Sequence, residues 1–231
     1  MSTELEKLDG ACYHAVPGFM DHLEAELGGH YRIDDELITV LGPRKTVYWA
    51  RNVWEEPFIA RFDSVSQAAS ILKSIQRSWA PYPVHHARRT LLISDKLPPV
   101  PNKPKAFPFA LPASPMGAFT LLDEHTMLAS ARCSSPWPNG ELSFVEDKEG
   151  PPSRAYRKLW EALIMAKSMP GPGQRCLDAG ACPGGWTWVL AGLGAQVLAV
   201  DRSALAPSVA AMPGVTFMKH NAFTLKPEDV G

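Results

Sequence analysis

Cys176-Leu-Asp-Ala-Gly-Ala-Cys-Pro-Gly-Gly-Trp-Thr-Trp-Val-Leu190 (CLDAGACPGGWTWVL) sets three glycines and a proline between two apolar runs. Cys176–Ala179 reads as a short buried strand and Trp186–Leu193 as a helix, so the glycines occupy the turn between them. Gln196–Val200 and Val215–Met218 follow as further strands. Upstream, Ser153 is placed to cap a helix running from Arg154 through Ala166, which Pro170-Gly-Pro-Gly173 ends. Strands and helices alternating at this spacing predict an α/β fold with a doubly wound parallel sheet.

A glycine turn between the first strand and first helix of such a sheet lets a ligand lie on bare backbone, since glycine has no Cβ and accepts positive φ. The second strand ends in Asp201, 23 residues after Asp178. That is close to the ~20-residue interval at which an acid accepts from ribose hydroxyls, so an adenosine-bearing cofactor is expected. The glycines are Gly180, Gly184 and Gly185, which does not fit the G-x-G-x-x-G of a nicotinamide dinucleotide site. A tight turn with no ligand is the plainer alternative.

The pattern D-x-G-x-x-P-G-G-W-T resembles motif I of S-adenosylmethionine-dependent methyltransferases, specifically the FtsJ-like family of RNA 2′-O-ribose methyltransferases. The segment Pro151-Pro-Ser-Arg-Ala-Tyr-Arg-Lys-Leu-Trp-Glu-Ala162 is similar to the S-R-x-x-x-K-L stretch that precedes motif I there. The resemblance implies a Rossmann-like methyltransferase sheet with S-adenosylmethionine as cofactor, and it puts Lys158 on the first lysine of a Lys-Asp-Lys-Glu catalytic set. By helix pattern alone Lys158 reads as part of a solvated face. The RlmM-type members of the family are the nearest in pattern, through V-P-G-F near the start, C-S-S-P-W at 133–137, P-P-S-R and D-A-G-A-C-P-G-G-W-T. These methylate a cytidine ribose in large-subunit (23S) ribosomal RNA and carry a THUMP RNA-binding domain.

By that likeness, Ser153, Asp178, Gly180, Cys182, Pro183, Gly184, Gly185, Trp186, Asp201 and Asn221 are expected to contact the cofactor, and Arg154 and Arg157, next to the expected ribose site, are placed to contact the RNA. Cys182 is expected to present backbone to the methionine part. Asn221 departs from the usual acid, although its side-chain carbonyl is an acceptor that suits an adenine amino group. Three strands follow residue 151, whereas the family's sheet has seven. The remaining catalytic aspartate, lysine and glutamate are therefore expected beyond Gly231, and the chain is expected to be a fragment that is catalytically silent, with weak or absent cofactor affinity. A noncatalytic RNA-binding protein with a degenerate methyltransferase fold is the alternative.

Ahead of this region, Cys12–Val16 has strand character, and Phe19, Leu23 and Leu27 repeat at helical spacing. Leu37–Val40 and Thr46–Trp49 read as strands, and Val65 to Trp79 as a helix bearing Ala68, Ile71, Leu72 and Ile75 on one face. Residues 1–96 are thus a small α+β module. Residues 97–150 begin with seven prolines between Leu97 and Gly117, too dense for helix or central strand. Strands at Ala118–Leu122, Thr126–Arg132 and Glu141–Val145 then complete a THUMP-like region, and 151–231 opens the methyltransferase domain. His85-His86 with Arg88-Arg89 offer phosphate contacts or a solvated face, while Trp49, Trp54 and Trp79 fit core patterns.

The 231 residues are 45% hydrophobic, enough for a buried core, and no run approaches a membrane span. The start, MSTELEKLDG, is too polar for a signal peptide, and four cysteines without metal-site spacing fit a reducing, cytoplasmic setting. Net charge is −1, with 15 basic and 19 acidic residues in 1–150 against 8 and 5 in 151–231, a difference too small to indicate nucleic acid by itself. A monomer that uses no metal is expected.

Overall fold

The computed structural model describes residues 5–29, 31–100 and 103–230. Residues 1–4 of the polar start, Pro101 of the proline-rich stretch and Gly231 lie outside them. The chain forms two compact units, Met1–Lys103 with Pro112–Ser143, and Pro104–Leu111 with Phe144–Gly231.

The first unit runs β1 (Leu5–Lys7), β2 (Gly10–Ala15), α1 (Met20–Leu27), β3 (Arg32–Asp34), β4 (Leu37–Leu41), β5 (Ala50–Glu55) and β6 (Phe58–Arg61). It continues with α2 (Val65–Ile75), β7 (Trp79–Pro81), α3 (Ala87–Ser94), β8 (Gly117–Leu121), β9 (Thr126–Ser130) and β10 (Arg132–Cys133). The strands make two sheets, β1-β6-β9-β8-β7 and β10-β5-β2-β4-β3. Side chains alternate across each strand, so one sequence serves two interfaces. Tyr13, Ile38 and Val53 pack on Leu23 and Leu27 of α1. Their neighbours Cys12, Leu37 and Trp54 meet Ala118 and Leu128 of the other sheet. Phe119, Leu121 and Met127 then turn outward against Leu72 of α2 and Ile93 of α3. The result is a helix, sheet, sheet, helix stack.

The C-S-S-P-W stretch has a structural task within this unit. Ser134 accepts the Val53 N–H on its hydroxyl at 2.8 Å, and the Asn52 side-chain oxygen accepts from the Ser135 N–H at 3.0 Å. Trp137 is buried beyond them. The loop is thereby stitched to β5 where β10 stops pairing.

Three expected elements differ. Thr46–Trp49 is not a strand, because the N–H groups of Tyr48 and Trp49 donate to the Glu26 carboxylate rather than to a ladder. Glu141–Val145 is not one either. It follows a 3-10 turn at Pro138–Gly140 with Asn139 and Gly140 at positive φ, and only Phe144 bridges, to Lys105. Trp79 does not extend α2 but opens β7, and its indole N–H donates to the carbonyls of Leu72 and Gln76 at the end of that helix.

The second unit contains α4 (Tyr156–Ala166), β11 (Arg175–Ala179), α5 (Gly185–Gly192), β12 (Gln196–Asp201), α6 (Pro207–Ala210), β13 (Val215–Lys219) and α7 (Pro227–Val230). Tyr156, Trp160 and Ile164 recur every four residues and bury one stripe of α4. Phe107, from the proline-rich stretch, stacks on Trp160 with ring centroids 4.8 Å apart and planes 7° from parallel, which ties Pro104–Leu111 to this unit.

β11, β12 and β13 are parallel and adjacent in chain order. Leu159 of α4 and Leu190 of α5 pack over Cys176 and Val197, and Val209 of α6 lies with Ala199 and Phe217. A doubly wound sheet carries helices on both faces. Among the described residues α4, α5 and α6 cover one face, because the strand order advances without the reversal that would send a crossover to the other. Leu177, Leu198 and Met218 of the second face line an open depression of about 810 Å³, bordered by α7.

Candidate functional site

The site lies at the carboxyl ends of β11, β12 and β13. Gly180 leaves β11 at φ +88°, and its N–H and that of Ala181 both donate to the Val200 carbonyl, at 2.8 and 3.2 Å. The turn crosses a cis Cys182–Pro183 peptide and reaches Gly184 at φ +111°, the residue before α5. A Cβ on Gly184 would meet Val209 at 2.9 Å, and one on Gly185 would meet the Ser153 hydroxyl at 2.7 Å. Glycine is thus required for backbone angle at 184 and for close approach at 185.

Asp201 ends β12 and holds the turn. Its Oδ2 accepts from the Cys182 N–H at 3.0 Å and its Oδ1 from the Ser203 N–H at 2.8 Å. These donors, Ser203 foremost, hold the carboxyl below the usual aspartate range. Cys182 is exposed, but its N–H faces Asp201 rather than outward. The His220 N–H donates to the Asp201 carbonyl at 3.1 Å, which brings Asn221 to the same edge. The Asn221 side-chain oxygen accepts from the Phe223 N–H at 3.2 Å and keeps a second lone pair. Phe223 itself is 97% exposed and was not singled out from sequence, where one phenylalanine beyond a strand carries no signal.

Asp178 lies one layer below the turn, 5% exposed, with its Oδ2 accepting from the Thr187 hydroxyl at 2.7 Å. Burial pushes this carboxyl upward.

The start of α4 borders the site. Ser153 does not cap α4, which begins at Tyr156 without a side-chain cap. It stands three residues earlier, in a bend, with its hydroxyl buried against Gly185 and without a hydrogen-bond partner among the described residues. Trp186 is 44% exposed and donates its indole N–H to the Ala155 carbonyl at 3.0 Å, fastening the two helix starts together. Arg154 and Arg157 are not free cations, since both donate to Glu146 Oε1. Lys158 is exposed on the first turn of α4 and makes no ion pair among the described residues.

The predicted cofactor residues therefore converge, from Ser153 through the 180–186 turn to Asp201 and Asn221. His85 and Arg89 belong to the other unit. There His85 pairs with Asp34 at 3.1 Å and Arg89 lies over the Phe62 ring at 5.6 Å. No group of three or more side chains suited to a metal ion occurs among the described residues, and no helix among them is long and apolar enough to cross a membrane.

Residues 151–230 match the FtsJ-like methyltransferase family. The chain is similar to proteins named ribosomal RNA large subunit methyltransferase M. It is 40% identical to that of Halorhodospira halophila over 94 residues, 39% of this chain and 27% of the relative. For Thauera aminoaromatica the identity is 40% over 102 residues, 42% of this chain and 28% of the relative. For Xanthomonas oryzae pv. oryzae it is 32% over 173 residues, 70% of this chain and 45% of the relative. The chain thus spans less than half the length of these relatives.

Proposed function

We propose that this chain, whose residues 151–230 match the FtsJ-like methyltransferases, serves S-adenosylmethionine-dependent methylation of a ribose 2′-hydroxyl in large-subunit ribosomal RNA. Cytidine is the base that the resemblance to the RlmM-type enzymes implies, and the setting is a cytoplasmic monomer working without a metal. The observation that carries this reading is the convergence of three strand ends on Asp201, which holds the glycine turn while keeping lone pairs for a ribose.

The residues present fit the cofactor. Gly180 leaves the backbone bare at the end of β11, with no atom within 4 Å of where a Cβ would stand, and the buried Ser153 hydroxyl against Gly185 has no partner among the described residues. In the proposed arrangement these groups hold the amino-acid part, Asp201 takes the ribose hydroxyls, and Asn221 meets the adenine edge. When bound, the cofactor supplies an electrophilic methyl group. Lys158 contributes positive charge that favours the ionised 2′-oxygen of the target ribose, while Arg154 and Arg157 orient the RNA backbone. The first unit, THUMP-like in this reading, docks structured RNA by shape and phosphate contacts. Lys158 is the one member of the catalytic set that the likeness assigns within residues 1–231, and we propose that these residues alone do not turn over.

The test is methyl transfer to large-subunit ribosomal RNA by a longer enzyme that contains these residues. Lys158→Ala should slow transfer by about 100-fold or more while adenosylmethionine affinity stays within about 3-fold. Unchanged transfer in that variant removes Lys158 from its role. Cofactor-independent RNA binding with no transfer by the unmodified enzyme puts a noncatalytic RNA-binding protein in place of the proposal.

A further inference from the structure

We infer that Thr187 is a positioning residue for Asp178, fixing the orientation of that carboxylate under the glycine turn so that it can hold the cationic amino group of the cofactor. This rests on the reading of the turn as a cofactor site.

Thr187 is fully buried in the first turn of α5, between Trp186 and Trp188. Packing alone would be met as well by valine, which has the same shape without a hydroxyl to satisfy. The Thr187 Oγ1 lies 2.7 Å from Asp178 Oδ2 and donates to it. A fully buried hydroxyl therefore gives a short hydrogen bond to a buried acid.

The electrostatic setting makes that hydrogen bond consequential. Burial favours the neutral form of Asp178, and Asp201, on the neighbouring strand, adds to that tendency. α5 contains no charged side chain, and Arg175, at the opposite end of β11, donates to the Val230 carbonyl. Against burial and Asp201, the opposing influence comes first from the Thr187 hydroxyl. Without the hydroxyl, the carboxyl would be left to its burial, free to rotate and readier to bind a proton, and a neutral acid attracts an ammonium group poorly.

The experiment compares the unmodified sequence with Thr187→Val and Thr187→Ser, each within a longer enzyme that contains these residues. The Asp178 carboxyl is titrated by carbon-13 NMR, and S-adenosylhomocysteine is titrated calorimetrically into the same samples. Thr187→Val should move the Asp178 titration to higher pH and weaken the ligand about 10-fold or more, while Thr187→Ser restores both. An Asp178 titration that Thr187→Val leaves in place overturns the inference. If the unmodified longer enzyme takes up no ligand, the cofactor reading fails, yet the carboxyl titration still decides the role of Thr187. Should Thr187→Val not fold, the Thr187 hydroxyl proton of the unmodified longer enzyme is the readout. A slowly exchanging resonance that shifts as Asp178 titrates supports the inference, and one indifferent to that titration overturns it.

Discussion

Asp201 holds two parts of its own chain, accepting the Cys182 N–H on one oxygen and the Ser203 N–H on the other. An alanine there releases the glycine turn as well as removing a partner for a ribose. Asp201→Ala should therefore speed hydrogen exchange at the Cys182 amide by about 10-fold or more in ligand-free protein, with the Leu193 amide at the end of α5 keeping its protection. Because its donors hold the folded carboxyl below the unfolded value near ~3.9, the tether is complete above that value. It is lost only as pH falls through the lower folded one, so protection at pH 5 and pH 8 should agree after correction for intrinsic rates. The position of Asp201 was legible from its interval to Asp178. Its internal partners were not, because spacing says which residue reaches a strand end and not which lone pairs are already taken there.

At the scale of elements, periodicity located α1, α2, α4, α5 and most of the longer strands, since each has an apolar stripe or a buried run with turn residues at its ends. It failed where the ending depended on a distant group. The apolar pattern of α2 continues to Trp79, but the indole N–H folds back on the carbonyls of Leu72 and Gln76, at 2.9 and 3.0 Å, and the chain leaves the helix after Ile75. Trp79→Phe keeps the aromatic bulk and leaves both carbonyls without that donor, which should cost the first unit about 1–3 kcal/mol in urea unfolding. A loss smaller than ~0.5 kcal/mol would mean that water replaces the indole at the helix end. Thr46–Trp49 was misread for a related reason. Its amides answer to Glu26, 22 and 23 residues away, and no local pattern encodes that. α3 went unseen because His86, at positive φ, gives its start no ordinary capping signature.

For the whole molecule, the proline-rich stretch was legible as a break but not as a contributor to two units, since Phe107 finds Trp160 only in the folded chain. The charge reading also missed His14. It is fully buried in the first unit, where burial and the Arg51 charge push its pKa down to about 3. Arg51 donates to His14 Nε2 at 2.7 Å, so the ring is neutral and its contact with Glu36 is no ion pair at neutral pH. A folded value below the unfolded ~6.5 means that this contribution to stability is complete above pH 6.5. It drains as pH falls toward 3, by about 3–5 kcal/mol in all. The first unit should thus lose its amide dispersion in NMR spectra before the second on acidification, and His14→Gln should flatten that acid limb. Simultaneous loss in both units, unaltered by the substitution, would refute a His14 origin.

The bare face of the three-stranded sheet has a consequence in colloidal terms. Parallel strands ordinarily lie between two layers of helices, whereas here Leu177 is 47% exposed on a surface whose rim is α7, and β11 and β13 are both open edges among the described residues. Such a surface is wetted poorly by water and offers two unfilled hydrogen-bonding borders. The second unit should therefore self-associate weakly through this face as concentration rises, which sedimentation velocity over a concentration series checks, an unchanged sedimentation coefficient counting against it.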